Sequence, residues 1–324
     1  MKYTRKKRSI RDIIKKTVLP KTFNLADIVY NKPKRDDLAV GLVYFNANKS
    51  KRILMNYLYT VEKLKIAGIP NFTMEMYTEH SEIKDAFHVK TDFILFQKER
   101  LCRLLEKRIP RKYTKIVFID GDIVFDNVNW YNDLSDELET HNVIQPFERV
   151  FRLNLTYTKI IDETLTYVLK KKFGDIRVIP NTNLRFSPGG AWGFQRAWFN
   201  RVGFFEDDIL GSSDTYSVKS WGIAPDNFDY PEFIKDSVKT YKETMVKFPS
   251  SNYVNGNIHH LWHGSRKNKQ YGSRDAILKG VNNIKDVLTT DKNGLFKLKN
   301  TSRTRKIRKN LVKYFTNRDD DGMD

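Results

Sequence analysis

The first 125 residues alternate between two hydrophobic patterns. Ala39-Val-Gly-Leu-Val-Tyr-Phe45 is a short continuous apolar run, the mark of a strand buried on both faces. From about Lys51 to Ile66 the spacing turns helical, and Gly68 and Pro70 stop it. Phe72-Thr-Met-Glu-Met-Tyr77 predicts a second strand. Leu101, Leu104, Leu105 and Ile109 mark one face of a helix that ends before Pro110, and Lys115-Ile-Val-Phe-Ile119 predicts another buried strand. Strand, helix, strand, helix, strand in this order predicts an α/β fold whose mostly parallel sheet is flanked by helices. Such sheets bind ligands at the carboxyl ends of their strands. Beyond residue 145 the pattern is less regular. With no internal repeat and no long low-complexity linker, it predicts one elaborated domain.

Composition narrows this picture. The chain has 324 residues, 40% of them hydrophobic, which is enough for a large core and excludes wholesale disorder. The single cysteine, Cys102, rules out an internal disulfide or a cysteine zinc site. No apolar run approaches the roughly 18–20 residues of a membrane span, and the N-terminal residues lack the apolar core of a signal peptide, so a cytoplasmic protein is expected.

The net charge of +19 is carried by the two ends. Residues 1–35 contribute +10 and residues 297–318 contribute +9, while the rest balances to zero. The expected organisation is therefore a basic arm (1–35), a catalytic-type α/β domain (36–296) and a basic segment with an acidic tail (297–324). Both ends carry a helical apolar period, with Ile10, Ile13, Ile14 and Val18 in one and Ile307, Leu311, Val312 and Phe315 in the other. Such helices fit peripheral contact with an anionic membrane. They fit equally an apolar face packed on the domain, and nucleic-acid contact is the competing reading.

The sharpest chemical feature is Ile119-Asp120-Gly121-Asp122-Ile123-Val124-Phe125. Two carboxylates directly after a buried strand project from the sheet's ligand-binding edge, and Gly121 lets the backbone approach a ligand. Oxygen ligands so placed suit Mg²⁺ or Mn²⁺ bound together with substrate phosphates. Tyr44 and Asn46, at the end of the first strand, are donor-site candidates on the same edge. Neither a GxGxxG turn nor a P-loop follows that strand, which disfavours dinucleotide redox chemistry and P-loop hydrolysis.

Three further segments carry a resemblance. Phe96–Leu105 with Lys115–Phe125 and Trp130, then Pro188-Gly-Gly-Ala-Trp-Gly-Phe194 with Gly203–Asp214, then His260-Leu-Trp-His-Gly-Ser-Arg-Lys-Asn-Lys-Gln-Tyr271 resemble, in order and spacing, the blocks of DxD-containing GT-A fold glycosyltransferases from bacteria and large DNA viruses. The second half looks galactosyltransferase-like. The match covers about residues 39–295, and the basic ends have no counterpart. The resemblance implies a Rossmann-like GT-A domain and a metal held by Asp120, Asp122 and His263. It puts Lys98, Arg100, Gly121, Gly264, Arg266 and Lys267 near the donor phosphates. It gives Gly189 and Gly190 a close backbone approach, Trp192 a face for a sugar ring, and Asp214 the role of catalytic base in an inverting reaction. His259 and His260 are read as ordinary core or surface histidines.

The implied reaction is metal-dependent transfer of a sugar from a nucleoside diphosphate sugar to an acceptor hydroxyl on a glycan, lipid-linked molecule or protein. Two rivals remain. Asp120-Gly-Asp-Ile-Val124 also fits the DxDx(T/V) motif of haloacid-dehalogenase-like phosphatases, with Asp120 as nucleophile and Glu206-Asp207-Asp208 as a later acidic motif; the 80 residues of β-α-β before it argue against this. A non-catalytic nucleic-acid binder rests on the basic ends alone.

Overall fold

The computed structural model describes residues 24–173, 185–226, 229–265, 269 and 273–322. The N-terminal helical period at Ile10–Val18 therefore lies outside the described residues. In chain order the first half runs β1 (Leu38–Tyr44), α1 (Lys51–Ile66), β2 (Asn71–Tyr77), β3 (Phe87–Lys90), α2 (Lys98–Glu106), β4 (Lys115–Ile119), β5 (Ile123–Phe125) and α3 (Trp130–Glu137). Next come β6 (Val143–Gln145), β7 (Arg149–Leu153), β8 (Ile160–Thr166), α4 (Tyr167–Phe173), β9 (Phe186–Ser187), β10 (Ala191–Gln195), α5 (Arg196–Arg201), α6 (Ser213–Ser220) and α7 (Lys235–Glu243). The chain continues through β11 (Ser251–Tyr253), β12 (Asn257–His260), β13 (Leu288–Thr290), β14 (Phe296–Leu298) and α8 (Ser302–Thr316).

The architecture is mixed α/β. A seven-stranded sheet has the order β11-β6-β10-β4-β1-β2-β3, in which β10 alone opposes its two neighbours and the other pairings are parallel. β1 and β4, the two runs of near-continuous apolar residues, lie side by side at its centre, because only strands covered on both faces can bury every side chain. One face packs on α1 and α3 around the stacked rings of Phe125 and Trp130, 4.0 Å apart. The other packs on α2 and an aromatic cluster of Phe118, Phe194, Phe199 and Trp221. A second sheet, β5-β12-β7-β8-β9, flanks the carboxyl end of β4.

The described parts of the two basic ends, residues 24–35 and 297–322, pack on this body. Leu25 and Tyr30 are buried in the core, and the Tyr30 hydroxyl accepts the Phe125 amide at 3.0 Å. On α8, Ile307, Leu311, Tyr314 and Phe315 are buried, while Val312 turns to solvent. The apolar stripe therefore serves packing, and Arg303, Arg305, Lys306 and Lys309 form its exposed side. Among the described residues no helix is long and apolar enough to cross a membrane.

Candidate active site

The site begins where β4 runs out. The Asp120 amide donates to the Gly190 carbonyl at 2.8 Å, tying the acid pair to the start of β10, and the Asp122 carbonyl accepts the Leu261 amide at 2.8 Å. β5 pairs antiparallel with β12 so that His260 lies opposite Ile123, next to Asp122. His260 Nε2 is 3.7 Å and His263 Nε2 2.9 Å from Asp122 Oδ2, and the two imidazoles stack at 5.2 Å. Ligand atoms from Asp122, His260 and His263 all lie within 4.8 Å of one another. Strand alternation turns His259 the other way, buried against Phe151.

These three residues fit a divalent cation. Asp122 Oδ1 is buried with no hydrogen-bond partner, the kind of orphaned acceptor that a cation satisfies. One carboxylate with two imidazoles suits Mn²⁺ better than Mg²⁺, which prefers oxygen ligands throughout. Burial raises the pKa of Asp122, but His260, His263 and Lys269 overcome it and hold the carboxyl far below its ordinary range. Burial also pulls His260 down to about 3, with Asp122 opposing that pull. Lys269 is buried too, its Nζ 2.8 Å from His263 Nε2, and burial lowers its pKa to about 8.

Asp120, expected as a ligand, stands outside this group. Lys98 reaches from the start of α2 and donates to Asp120 Oδ1 at 3.0 Å. Burial opposes the Lys98 charge, yet Asp120, Glu99 and Asp214 together raise its pKa well above the ordinary value. Lys98 thus stands among three carboxylates.

Glu99, fully covered beside it, is pushed by burial from 4.5 up to about 8. The native protein then holds a proton that the unfolded chain has lost between those values, so stability falls as pH rises through that window. Glu99→Gln is expected to flatten the fall in melting temperature between about pH 5 and about pH 9. Equal slopes in variant and wild type contradict this.

Asp214 lies in the first turn of α6 and accepts the Thr215 amide through Oδ1 at 2.6 Å. Its Oδ2 is 2.5 Å from where a Cβ on Gly189 would sit, so only glycine admits the carboxylate here. Gly190, at φ +101°, turns the chain into β10. Gly189→Ala is therefore expected to displace the Asp214 carboxylate, which a crystal structure of the variant checks; an unmoved Asp214 contradicts this.

Several other expected site residues have fold-building duties instead. The buried Tyr44 hydroxyl donates to Glu82 at 2.8 Å. Asn46 braces the 46–50 turn by bonding the backbone of Ser50 in both directions. Arg100 holds the Gly294 carbonyl and Glu206 rather than a phosphate. Gly121 makes room for Tyr57 of α1. Trp192 is buried with its indole N–H on the Pro188 carbonyl and its ring against Trp221, leaving no face for a sugar. The bare side of Gly264, at φ +83°, is covered by the Asp319 carbonyl, not turned to a ligand. Arg266 and Lys267 lie outside the described residues.

His260 and Lys269 are the residues that sequence reasoning missed. A cavity of about 460 Å³ opens between Ala47 and Asn48 after β1, Thr78 after β2, Phe93 and Phe315 at the end of α8; Asp92, Asp319, Asp320 and Asp321 also line it, and Asp320, 3.5 Å from His263, links it to this group. A shallower concavity on the outer face of α7, among Tyr230, Lys239 and Lys242, is remote from these groups.

No protein-family model matches the chain, and no curated protein sequence matches it. Among solved structures it is similar to the catalytic domain of Drosophila β1,4-galactosyltransferase 7 in complex with xylobiose, at 11% identity over 86% of this chain and 98% of that one, with a TM-score of 0.37. It is similar to glucosyl-3-phosphoglycerate synthase from Mycobacterium tuberculosis in complex with phosphoglyceric acid, at 10% identity over 77% and 84%, TM-score 0.37. It is also similar to GalNAc-T7 with UDP, GalNAc and Mn²⁺, at 12% identity over 69% of this chain and 43% of that one, TM-score 0.38. At such identities and TM-scores these likenesses decide nothing about this chain's activity.

Proposed function

We propose that this protein is a metal-dependent glycosyltransferase that moves a sugar from a nucleoside diphosphate sugar to an acceptor hydroxyl. The observation that carries this reading is the convergence of Asp122, His260 and His263, with one Asp122 oxygen buried and unpartnered; Asp320, next to His263, links them to a cavity of about 460 Å³ at the carboxyl ends of β1 and β2. A bound Mn²⁺ or Mg²⁺ supplies positive charge to the leaving diphosphate.

The chain's own residues do the rest. The cavity orients the nucleoside, with Phe93 and Phe315 offering ring faces to the base. Lys269, next to His263, adds a cation on the diphosphate side, the duty expected of Arg266 and Lys267. Lys98 fixes Asp120 for hydrogen bonding to the donor. Asp214, set against the glycine pair, takes the proton from the acceptor hydroxyl in an inverting reaction. The acceptor is a glycan, protein or lipid-linked hydroxyl. A lipid-linked one suits the exposed basic side of α8, which would rest on an anionic membrane surface.

Two of the three acids in the phosphatase reading's later motif have protein partners. Glu206 is held by Arg100 and Arg103, and Asp208 is buried, accepting the amides of Leu210 and Ser212. Asp120 is ion-paired with Lys98. The test is to incubate the protein with UDP-, GDP-, dTDP-, ADP- and CDP-sugars, with and without Mn²⁺, following nucleoside diphosphate release, and in parallel with p-nitrophenyl phosphate. Metal-dependent release from one nucleotide class and no cleavage of the phosphate ester is expected; the reverse pattern overturns the reading.

A further inference from the structure

The acidic tail after α8, which reads as a solvated end, is folded into the site. Asp320 is only 3% exposed. Its Oδ2 accepts Asn48 Nδ2 at 2.9 Å and its Oδ1 accepts Arg318 Nη2 at 2.9 Å, while Asn48 also donates to the Arg318 carbonyl. Asp321 accepts the Ser50 hydroxyl and the amides of Lys51 and Arg52, which fastens the tail to the start of α1. Gly264 leaves room for the Asp319 carbonyl where any other residue would collide with it. These separate fastenings hold a short segment against the loop that carries His263.

What they deliver is a carboxylate behind the imidazole. His263 Nδ1 lies 3.5 Å from Asp320 Oδ1, on the side of the ring away from Asp122. On the other side, Lys269 Nζ is 2.8 Å from Nε2. Nε2 also lies 2.9 Å from Asp122 Oδ2; once a cation takes its lone pair in place of Lys269, the ring proton sits on Nδ1, which is buried with no hydrogen-bond partner and faces Asp320. A carboxylate that receives the far N–H of a histidine fixes its tautomer and orientation and makes the ligating nitrogen more basic.

We propose that Asp320 is the positioning carboxylate of the metal centre, holding His263 so that Nε2 faces the cation beside Asp122, and that the C-terminal tail is thus a built part of the site. This rests on the metal-binding reading above. Loss of such a partner typically weakens metal affinity about 10–100-fold.

The experiment is a Mn²⁺ titration of the full chain without nucleotide, followed by electron paramagnetic resonance, together with the visible spectrum at saturating Co²⁺. Wild type, Asp122→Asn, Asp320→Ala and Asp320→Asn are compared. Asp320→Ala is expected to raise the Mn²⁺ dissociation constant about 10–100-fold and to shift the Co²⁺ band. Asp320→Asn, whose amide oxygen still accepts the Nδ1 proton, is expected to recover most of both. A tail that only braces the fold would leave the Co²⁺ band unmoved at saturation, and one that blocks the site would let Asp320→Ala bind Mn²⁺ more tightly; either result overturns the proposal. If Asp122→Asn loses Mn²⁺ while both Asp320 variants bind like wild type, the tail inference fails alone. If wild type and Asp122→Asn bind Mn²⁺ equally, or neither binds, the metal-centre reading fails and takes this inference with it.

Discussion

Asp122→Asn is expected to lower kcat/KM for sugar transfer by about 10³ or more, the larger part of it in kcat. Asparagine keeps the shape and removes the charge that His260, His263 and Lys269 surround, so the cation loses its one anionic ligand and the leaving diphosphate loses the cation. Asp122 Oδ2 also faces His263 at 2.9 Å and its charge offsets buried Lys269, so the melting temperature of the variant is read beside its kinetics. Steady-state kinetics over a Mn²⁺ titration checks this. A loss under about 10-fold that raised Mn²⁺ restores would show that Asp122 is not the principal ligand.

The second large effect is expected at Asp214. Asp214→Asn removes the proposed proton acceptor and should lower kcat by about 10²–10⁴, the usual range for a general base. The carboxylate lies in the first turn of α6, outside the group formed by Asp122, His260 and His263. Nucleotide affinity in the presence of Mn²⁺ is therefore expected to stay within about 3-fold of wild type, since a transition-state interaction is removed and a ground-state one is kept. Equal losses in turnover and nucleotide affinity would contradict a base and point to a structural duty.

Much of the first half was legible because its elements differ in period. β1 and β4 announce themselves as continuous apolar runs, and α1 is bounded by Ser50 as its N-cap and by Gly68 and Pro70. The second sheet was not legible, since β5, β9 and β12 have four residues or fewer and their identity depends on pairing. The same limit governs the site. Asp120 and Asp122 follow from the end of a buried strand, but which of them faces the histidines depends on Lys98, which comes from another element. His260 and His259 are indistinguishable until the β5–β12 register turns one of them toward Asp122.

Lys269 and Asp320 left no local signal, because the contacts that bring them to His263 are tertiary. Four expected donor-site residues have protein partners for one reason. Tyr44, Asn46, Arg100 and Trp192 are polar or aromatic groups at the ligand-bearing edge, and the sequence alone does not show that Glu82, Ser50, Glu206 and Pro188 already occupy them.

The central claim is a metal-assisted nucleotide site built on Asp122, His260 and His263. Its most direct test is the melting temperature of wild type and Asp122→Asn with UDP, GDP, ADP, CDP and dTDP, each with and without Mn²⁺. A ligand at about 100 times its dissociation constant stabilises by roughly 2.7 kcal/mol, a shift of several degrees. One nucleotide is expected to raise the melting temperature of wild type only when Mn²⁺ is present, and to leave Asp122→Asn unmoved. Stabilisation by nucleotide that ignores both the metal and the substitution, or by none of the five, would contradict the account.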